Sequence, residues 1–442
     1  MSHPNAPDPD STKSGRGPGP LGEARLQRAR RDQLGWQPVD LDGLIPSDHR
    51  ARAVWDYVME LDLSAFRAGI RAVEGHAGRP AIDPAILLAL WLYATLEGVG
   101  SARALDRLCE EHHAYRWLCG GVTVNYHALA DFRVAHGRAL DQLLSQSAGA
   151  LMAEGLVKLR RVAQDGMRVR ASASAPSFRR KSTLRECVQA AHGQVERLRR
   201  ELDTDPAATT RRQDAAKRRA AQERLARVKR ALKAAKEAEE RQAEAEKRKG
   251  RPAAEEARAS TTDPDARVMR MADGGFRPAY NAQFATDTDS QVIVGVEVTT
   301  RGNDTREMTP MVEQVRRRYQ RTPRQWLADG GYLEHDDIES LSRMGTEAFV
   351  PPMKKKLSRR PGYRPWRKVG PGVTAWRRRM ETEQGMAIYR ERPGAAECVN
   401  AQARNRGLSR LLVRGREKVR AVLLWFALAH NLLRSTRLRG AT

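Results

Sequence analysis

Three acidic residues stand where a carboxylate could do chemistry. Asp165 lies in "RRVAQDGMRVRASA", where Met167, Val169 and Ala171 alternate with Arg168 and Arg170. That period of two predicts a strand with one buried face, and Asp165 has the parity of Met167 and Val169. Asp329 ends the apolar run Trp326-Leu327-Ala328 and precedes Gly330-Gly331, so a short buried strand terminates on a carboxylate. Glu397 falls in the first turn of a helix framed by Pro393 and Gly407. Asn400 and Arg404, three and seven residues on, share its face. Carboxylates converging from strands and a helix repel one another, and hard divalent cations neutralise such a group. Two Mg²⁺ ions about 4 Å apart clamp the attacking and leaving oxygens of a phosphoryl transfer. Behind Asp329, the two glycines would let DNA or metal approach the backbone. Taken singly, Asp329 reads first as a helix cap or turn residue, because many strands end in Asp.

The chain that must position these acids has 442 residues, enough for two or three domains. Lys and Arg number 79 against 54 Asp and Glu, a net charge of +25 that suits polyanions and nucleic acid above all. The four cysteines, Cys109, Cys119, Cys187 and Cys398, form no C-x-x-C pair. That leaves no zinc or disulfide framework to read and fits a reducing cytosol. The polar N-terminus lacks the apolar core of a signal peptide. The longest apolar stretch, residues 421–433, is too short and polar to span a membrane and reads as a buried helix.

Residues 1–35 read as a disordered basic arm, and 36–150 as a helical domain. Asp83-Pro84 starts a central helix that is apolar nearly all round. The short helices after it fit a helix-turn-helix-like module or a plain bundle packed on the next domain. Residues 178–260 carry the stripes Leu184, Val188, Ala191, Val195, Leu198, Leu202 and Ala221, Leu225, Val228, Leu232, Ala235. With a turn at Pro206 between them, they predict a zipped antiparallel helical hairpin. Strands return in "AYNAQFAT" and "QVIVGVEVTT", a hairpin in which Val292, Val294, Val296 and Val298 are expected on one face. Asp287, Asp289 and Asp304 read as turn carboxylates, or one of them as a group supporting the catalytic acids from behind. The element order from 158 is strand, insertion, hairpin, helix, strand, helix, strand, helix. This predicts an α/β core of mixed sheet and helices, residues 158–177 and 261–442, interrupted by the hairpin insertion. The segment "KKKLSRRPGYRPWRK", 354–368, interleaves cations with Tyr363 and Trp366 and reads as a DNA-contacting loop. The ten histidines are scattered without metal-ligand spacing.

Several motifs in order carry a resemblance. "LIPSDHRARAVWDYVMELDLSAF" (44–66), "RPAIDPAILLALWLYATLEGVGSARAL", "AQDGMRVRASAS", "TDPDARVM", "YNAQFATD", "LADGGY" and "YRERPGAAECVNAQAR" together resemble the DDE transposases of bacterial insertion sequences. The group resembled has a helical N-terminal domain and an RNase H-like core. The likeness covers roughly residues 36–435 apart from the charged insertion. It implies that Asp165, Asp329 and Glu397 hold two Mg²⁺ or Mn²⁺ ions. It also implies that Tyr389, Arg392 and Arg404 grip the transposon-end backbone. The implied reaction is hydrolysis of a phosphodiester at the element's end, followed by attack of the freed 3′-OH on target DNA. The implied partners are terminal inverted repeats, target DNA and a second copy of the chain, in the cytoplasm on the nucleoid. Two departures are visible: Arg404 stands where the signature usually ends in Lys, and "VTVNYHALADFR" lacks the usual Pro-Asp. Two other readings compete: a domesticated or inactive protein of the same fold, and a basic nucleic-acid-binding protein without catalysis. The acid trio speaks against the latter.

Overall fold

The computed structural model describes residues 40–70, 72, 80–204, 211–249, 256–352 and 369–440. The basic arm 1–35, the turn at Pro206 and the loop 354–368 lie outside these residues. Eight strands occur among them: β1 (Arg161–Arg170), β2 (Phe178–Arg180), β3 (Arg258–Ser260), β4 (Arg267–Arg270), β5 (Phe276–Asp287), β6 (Ile293–Thr299), β7 (Gln325–Leu327) and β8 (Glu347–Phe349). The central strand of the main sheet is β1. Antiparallel β5 lies on one side of it, with parallel β7 and then β8 on the other. Both β4 and β6 pair antiparallel with β5. Helices Met308–Tyr319, His335–Arg343 and Pro371–Glu381 connect or follow the later strands. This is the mixed-sheet α/β core expected from the element order, and it is consistent with the RNase H-like core that the resemblance implies.

One face of the sheet packs Met167, Val169, Phe284 and Val296 against the N-terminal helices and the C-terminal helix Arg416–Gly440. The central N-terminal helix, Pro84–Leu96, starts as its sequence predicts, with the Asp83 carboxylate accepting from Ala85 N–H at 2.9 Å. Its Trp91 meets Trp425 of the C-terminal helix at 6.4 Å between ring centroids. The N-terminal helices therefore share a core with the sheet, as in the packed-bundle reading. The other face places Val162, Trp326 and Ala348 in a second core shared with the three later helices.

Two details differ from the sequence pattern. Val292 and Val294 pack in one core, whereas Val296 and Val298 pack in the other. The register against β5 jumps from Ala285↔Gly295 to Thr286↔Ile293, so Val294 is the extra residue of a β-bulge. An inserted residue sends every later side chain to the opposite face. In the insertion, helices Lys181–Thr204 and Arg211–Lys249 do form a hairpin on the β2–β3 ribbon. Leu184, Ala191, Ala221, Val228 and Ala235 are buried as expected, but Leu225 and Leu232 lie at the flank and Ala231 and Ala234 are buried instead. A straight helix of 3.6 residues per turn drifts off a 3.5 repeat, and the drift rotates alanines into the seam.

Among the described residues no helix is long and apolar enough to cross a membrane.

Candidate active site

The first two acids meet because their strands are neighbours. Parallel pairing of β1 and β7 matches Ala163 with Leu327. Two residues further on, the same register carries Asp165 and Asp329 side by side, and adjacent strands lie about 4.8 Å apart. Asp329 also caps the short 3₁₀ turn Gly330–Tyr332, its Oδ1 accepting from Gly331 N–H at 2.8 Å. A Cβ at Gly331 would lie 3.0 Å from that oxygen, so a side chain there would crowd the carboxylate. The lack of a side chain at Gly331 thus leaves room for Asp329 to fold back as a cap.

The third acid arrives on a helix with an irregular start. Pro393–Glu397 forms a π-helical turn that passes into the α-helix Cys398–Asn405. From this helix Asn400 Nδ2 donates to Asp165 Oδ2 at 2.9 Å. Just before the turn, Arg392 reaches both acids: Nη1 is 3.7 Å from Asp165 Oδ2, and Nη2 donates to Glu397 Oε1 at 2.8 Å. The arginine side chain is 9% exposed and that of Asp165 16%, whereas that of Glu397 is 57% exposed. Arg392 thus bridges Asp165 and Glu397, and Asp329 lies near enough to Asp165 and Arg392 for its charge to act on both.

The electrostatics follow from this crowding. Burial pushes the Asp165 carboxyl up to about 6; Arg392 pulls it back, and the charges of Asp329 and Asp304 push it further. Burial pulls the Arg392 guanidinium down, but Asp165, Tyr389 and Asp329 outweigh this and hold it above its ordinary value. Tyr389 ends the helix Glu383–Tyr389 and is half-buried. Arg404 is exposed on the outer side of Cys398–Asn405 and has no ion pair among the described residues.

A polar network under the sheet holds a fourth acid close by. Asp304 Oδ1 accepts from Asn281 Nδ2 at 2.6 Å and from Gln283 Nε2 at 2.7 Å. Gln283 also accepts from Gln164 Nε2 at 2.9 Å and from the Tyr332 hydroxyl. Gly166 makes room for this network, since a Cβ there would lie 2.3 Å from Gln283 Nε2 and 2.5 Å from Asp304 Oδ1. Of the two readings of these acids, Asp304 fits the supporting one, held by buried amides and near enough to Asp165 for its charge to act there. The available signal was the pair Asn281 and Gln283, two amides on one face of a buried strand that must find partners. Asp287 does behave as a turn carboxylate, accepting from Ser290 N–H at 3.0 Å and Ser290 Oγ at 2.7 Å.

Among the described residues no three His, Cys, Asp or Glu side chains stand grouped tightly enough to hold a metal ion. Arg392 lies between two of the candidate acids, Asp165 and Glu397. The donor chemistry nevertheless fits a hard divalent cation: three acids on neighbouring elements, Asp165 destabilised chiefly by burial and further by Asp329 and Asp304, and Glu397 exposed. The buried Asn400 Oδ1 beside Asp165 also lacks a partner among the described residues, leaving a further oxygen at the site.

Two family models match the chain. One, described as a transposase DDE domain, covers residues 256–432, and the other, described as a transposase domain (DUF772), covers residues 39–135. No curated protein and no solved structure matches.

Proposed function

Taking as premise that the chain belongs to the DDE transposases of insertion sequences, we propose that Asp165, Asp329 and Glu397 are its cutting centre. The observation that carries this is the meeting of the three acids around Arg392, which contacts Asp165 at 3.7 Å and Glu397 at 2.8 Å. The three carboxylates would hold divalent cations, two Mg²⁺ or Mn²⁺. Bound there, such ions supply Lewis-acid charge to the attacking and leaving oxygens of phosphoryl transfer. The protein hydrolyses the phosphodiester at each end of its element, leaving a 3′-OH. That 3′-OH then attacks a target phosphodiester in line, with no bond between protein and DNA at any stage.

The surrounding residues have roles that follow from their positions. Asn400, donating to Asp165 Oδ2, fixes the carboxylate's orientation. Arg392 neutralises Asp165 and Glu397 and, with Tyr389 and exposed Arg404, offers donors to the backbone near the scissile phosphate. Asp304, pinned by two buried amides, is a positioning residue behind Asp329. The helical region 36–150 binds end DNA and joins two copies, because both ends of the element must be cut together. The core comprises 158–177 and 261–442, and the enzyme works in the cytoplasm on the nucleoid.

The test is Mg²⁺-dependent cleavage of a labelled fragment carrying an element end, paired with a gel shift in EDTA. Asp165→Asn, Asp329→Asn and Glu397→Gln should each abolish cleavage, approaching the loss of the triple variant, because the acids act as one unit. Each should still bind DNA, since backbone contacts come from basic residues. Near-normal cleavage by Glu397→Gln would sink the assignment; joint loss of binding and cleavage would make the acids structural.

A further inference from the structure

The hairpin insertion carries its charge in a pattern that a merely soluble surface does not need. In its long helix, Arg211–Lys249, residues 217–236 hold nine Lys and Arg against the single Glu223. Residues 237–247 reverse this, with five Glu against Arg241 and Lys247. The half of the helix nearer the hairpin tip is therefore strongly positive, and the half nearer the core is mildly negative. Solvated helices commonly interleave the two signs as pairs one turn apart; this one segregates them.

The same stretch is sorted by face. Ala221, Val228, Ala231 and Ala235 are buried in the seam against the helix Lys181–Thr204. Arg218, Arg219, Lys229, Arg230, Lys233 and Lys236 are all exposed. At 3.6 residues per turn these six fall on the half of the helix turned away from the seam. Among the described residues Lys233 alone of the six has an ion pair, a 3.9 Å contact with Glu237 in which both side chains are largely exposed. From Arg218 to Lys236 the row spans about 27 Å.

What would cover this face is limited by what it lacks. The exposed residues among the cations are Ala220, Gln222, Glu223 and Ala226, with no aromatic or large aliphatic group. A protein partner draws most of its affinity from a few desolvated anchors, aromatic ones especially, and this face presents none. A phosphate backbone needs only cations at intervals along a line, with water left between them. We infer that the outward face of this helix is a second DNA-backbone contact, laid along duplex outside the cutting centre and indifferent to sequence. The inference rests on the transposase reading above, which supplies the DNA, but concerns a surface with no role in cutting.

The test uses the full chain with all six residues changed to Gln, which keeps helix propensity and removes charge. Binding to a duplex that extends beyond the element end is measured as a function of salt. Each released phosphate contact contributes about 0.9 to the slope of log K against log salt. The sixfold variant should lose about 3 or more from that slope and bind at least about tenfold more weakly at 0.15 M salt. At saturating DNA and low salt it should still cut. A charge-keeping variant with each Arg changed to Lys and each Lys to Arg should retain the wild-type slope, which separates charge from loss of folding. An unchanged slope in the Gln variant overturns the inference. So does a variant that binds DNA normally but changes its oligomeric state, which would mark a protein interface. Failure of the cutting-centre reading looks different: its acid variants would go on cleaving, whatever the slope of the Gln variant.

Discussion

Arg392 Nη2 donates to Glu397 Oε1 at 2.8 Å although the two residues are five positions apart. On a regular α-helix the partners of a residue are three and four positions on. The π-helical turn Pro393–Glu397 accommodates the extra residue, and such turns recur at functional sites. The guanidinium thereby serves Asp165 and Glu397 together, as a cation built into the chain. Replacing Arg392 with Ala should have two effects of opposite sign. Cleavage at saturating Mg²⁺ should fall about 10²–10³-fold, the usual cost of losing a preorganised charge at a reacting phosphate. The Mg²⁺ concentration for half-maximal rate should fall too, because an internal competitor for the carboxylates has gone. Arg392→Lys should recover little, since an ammonium cannot fork to both acids. A metal titration of the cleavage rate reads both effects, and a variant with unchanged rate and midpoint would remove Arg392 from the mechanism.

Asp304 invites a separate test because its support is buried while its charge is near the site. Asp304→Ala would strand Asn281 Nδ2 and deprive Gln283 Nε2 of one of its two acceptors, and both residues are 1% exposed or less. Unsatisfied buried donors cost about 1–3 kcal/mol each, so urea unfolding should show a loss of about 2–4 kcal/mol. Asp304→Asn keeps an oxygen for one amide and should recover about half of that. If Asp304 positions Asp329, cleavage by the folded Asn variant should fall while DNA binding stays constant. Equal cleavage by Asp304→Asn and the wild type would confine this carboxylate to stability.

These two residues also show how far the sequence could be read. The strand parity of Asp165 is legible from local periodicity, whereas β7 stops at Leu327 with Asp329 capping the next turn, and Glu397 closes a π-helical turn ahead of its α-helix. Their convergence needed the parallel register of β1 and β7, a non-local pairing that only the resemblance pointed to. The arginine at the centre of the site was legible as a signature residue but not as a buried one, because its burial depends on elements that are distant in sequence. The bulge at Val294 was hidden for a related reason: four valines at alternate positions look like one face until a partner strand fixes the count. In the insertion, alanines displaced leucines from the seam because drift accumulates over 39 residues, longer than a heptad count tracks reliably.

His430 gives the fold a pH signature that can be measured apart from catalysis. The ring is 1% exposed on the C-terminal helix, with Nε2 2.8 Å from the Gln291 carbonyl and Nδ1 3.2 Å from Gln402 Oε1. Burial is the main cause of a pKa lowered to about 4; the Gln291 carbonyl opposes it, and Arg406, Arg434 and Arg437 add to it. The unfolded chain binds this proton near pH 6.5, and the folded chain resists it until about 4. Between those values the unfolded state holds more protons, so stability rises with pH and is lost as pH falls through the window. The difference amounts to about 3 kcal/mol. Asp165 works in the opposite sense over much of the same range, since its raised pKa makes stability fall as pH rises from about 4 to 6. The clean measurement is therefore the wild type against His430→Gln, in urea at pH 7 and again at pH 4.5, with EDTA present throughout. The variant should be less stable at pH 7 because packing and a hydrogen bond are disturbed. It should lose about 2–3 kcal/mol less than the wild type on acidification. Parallel losses in the two proteins would mean that the ring takes up its proton without cost and is not held neutral by its surroundings.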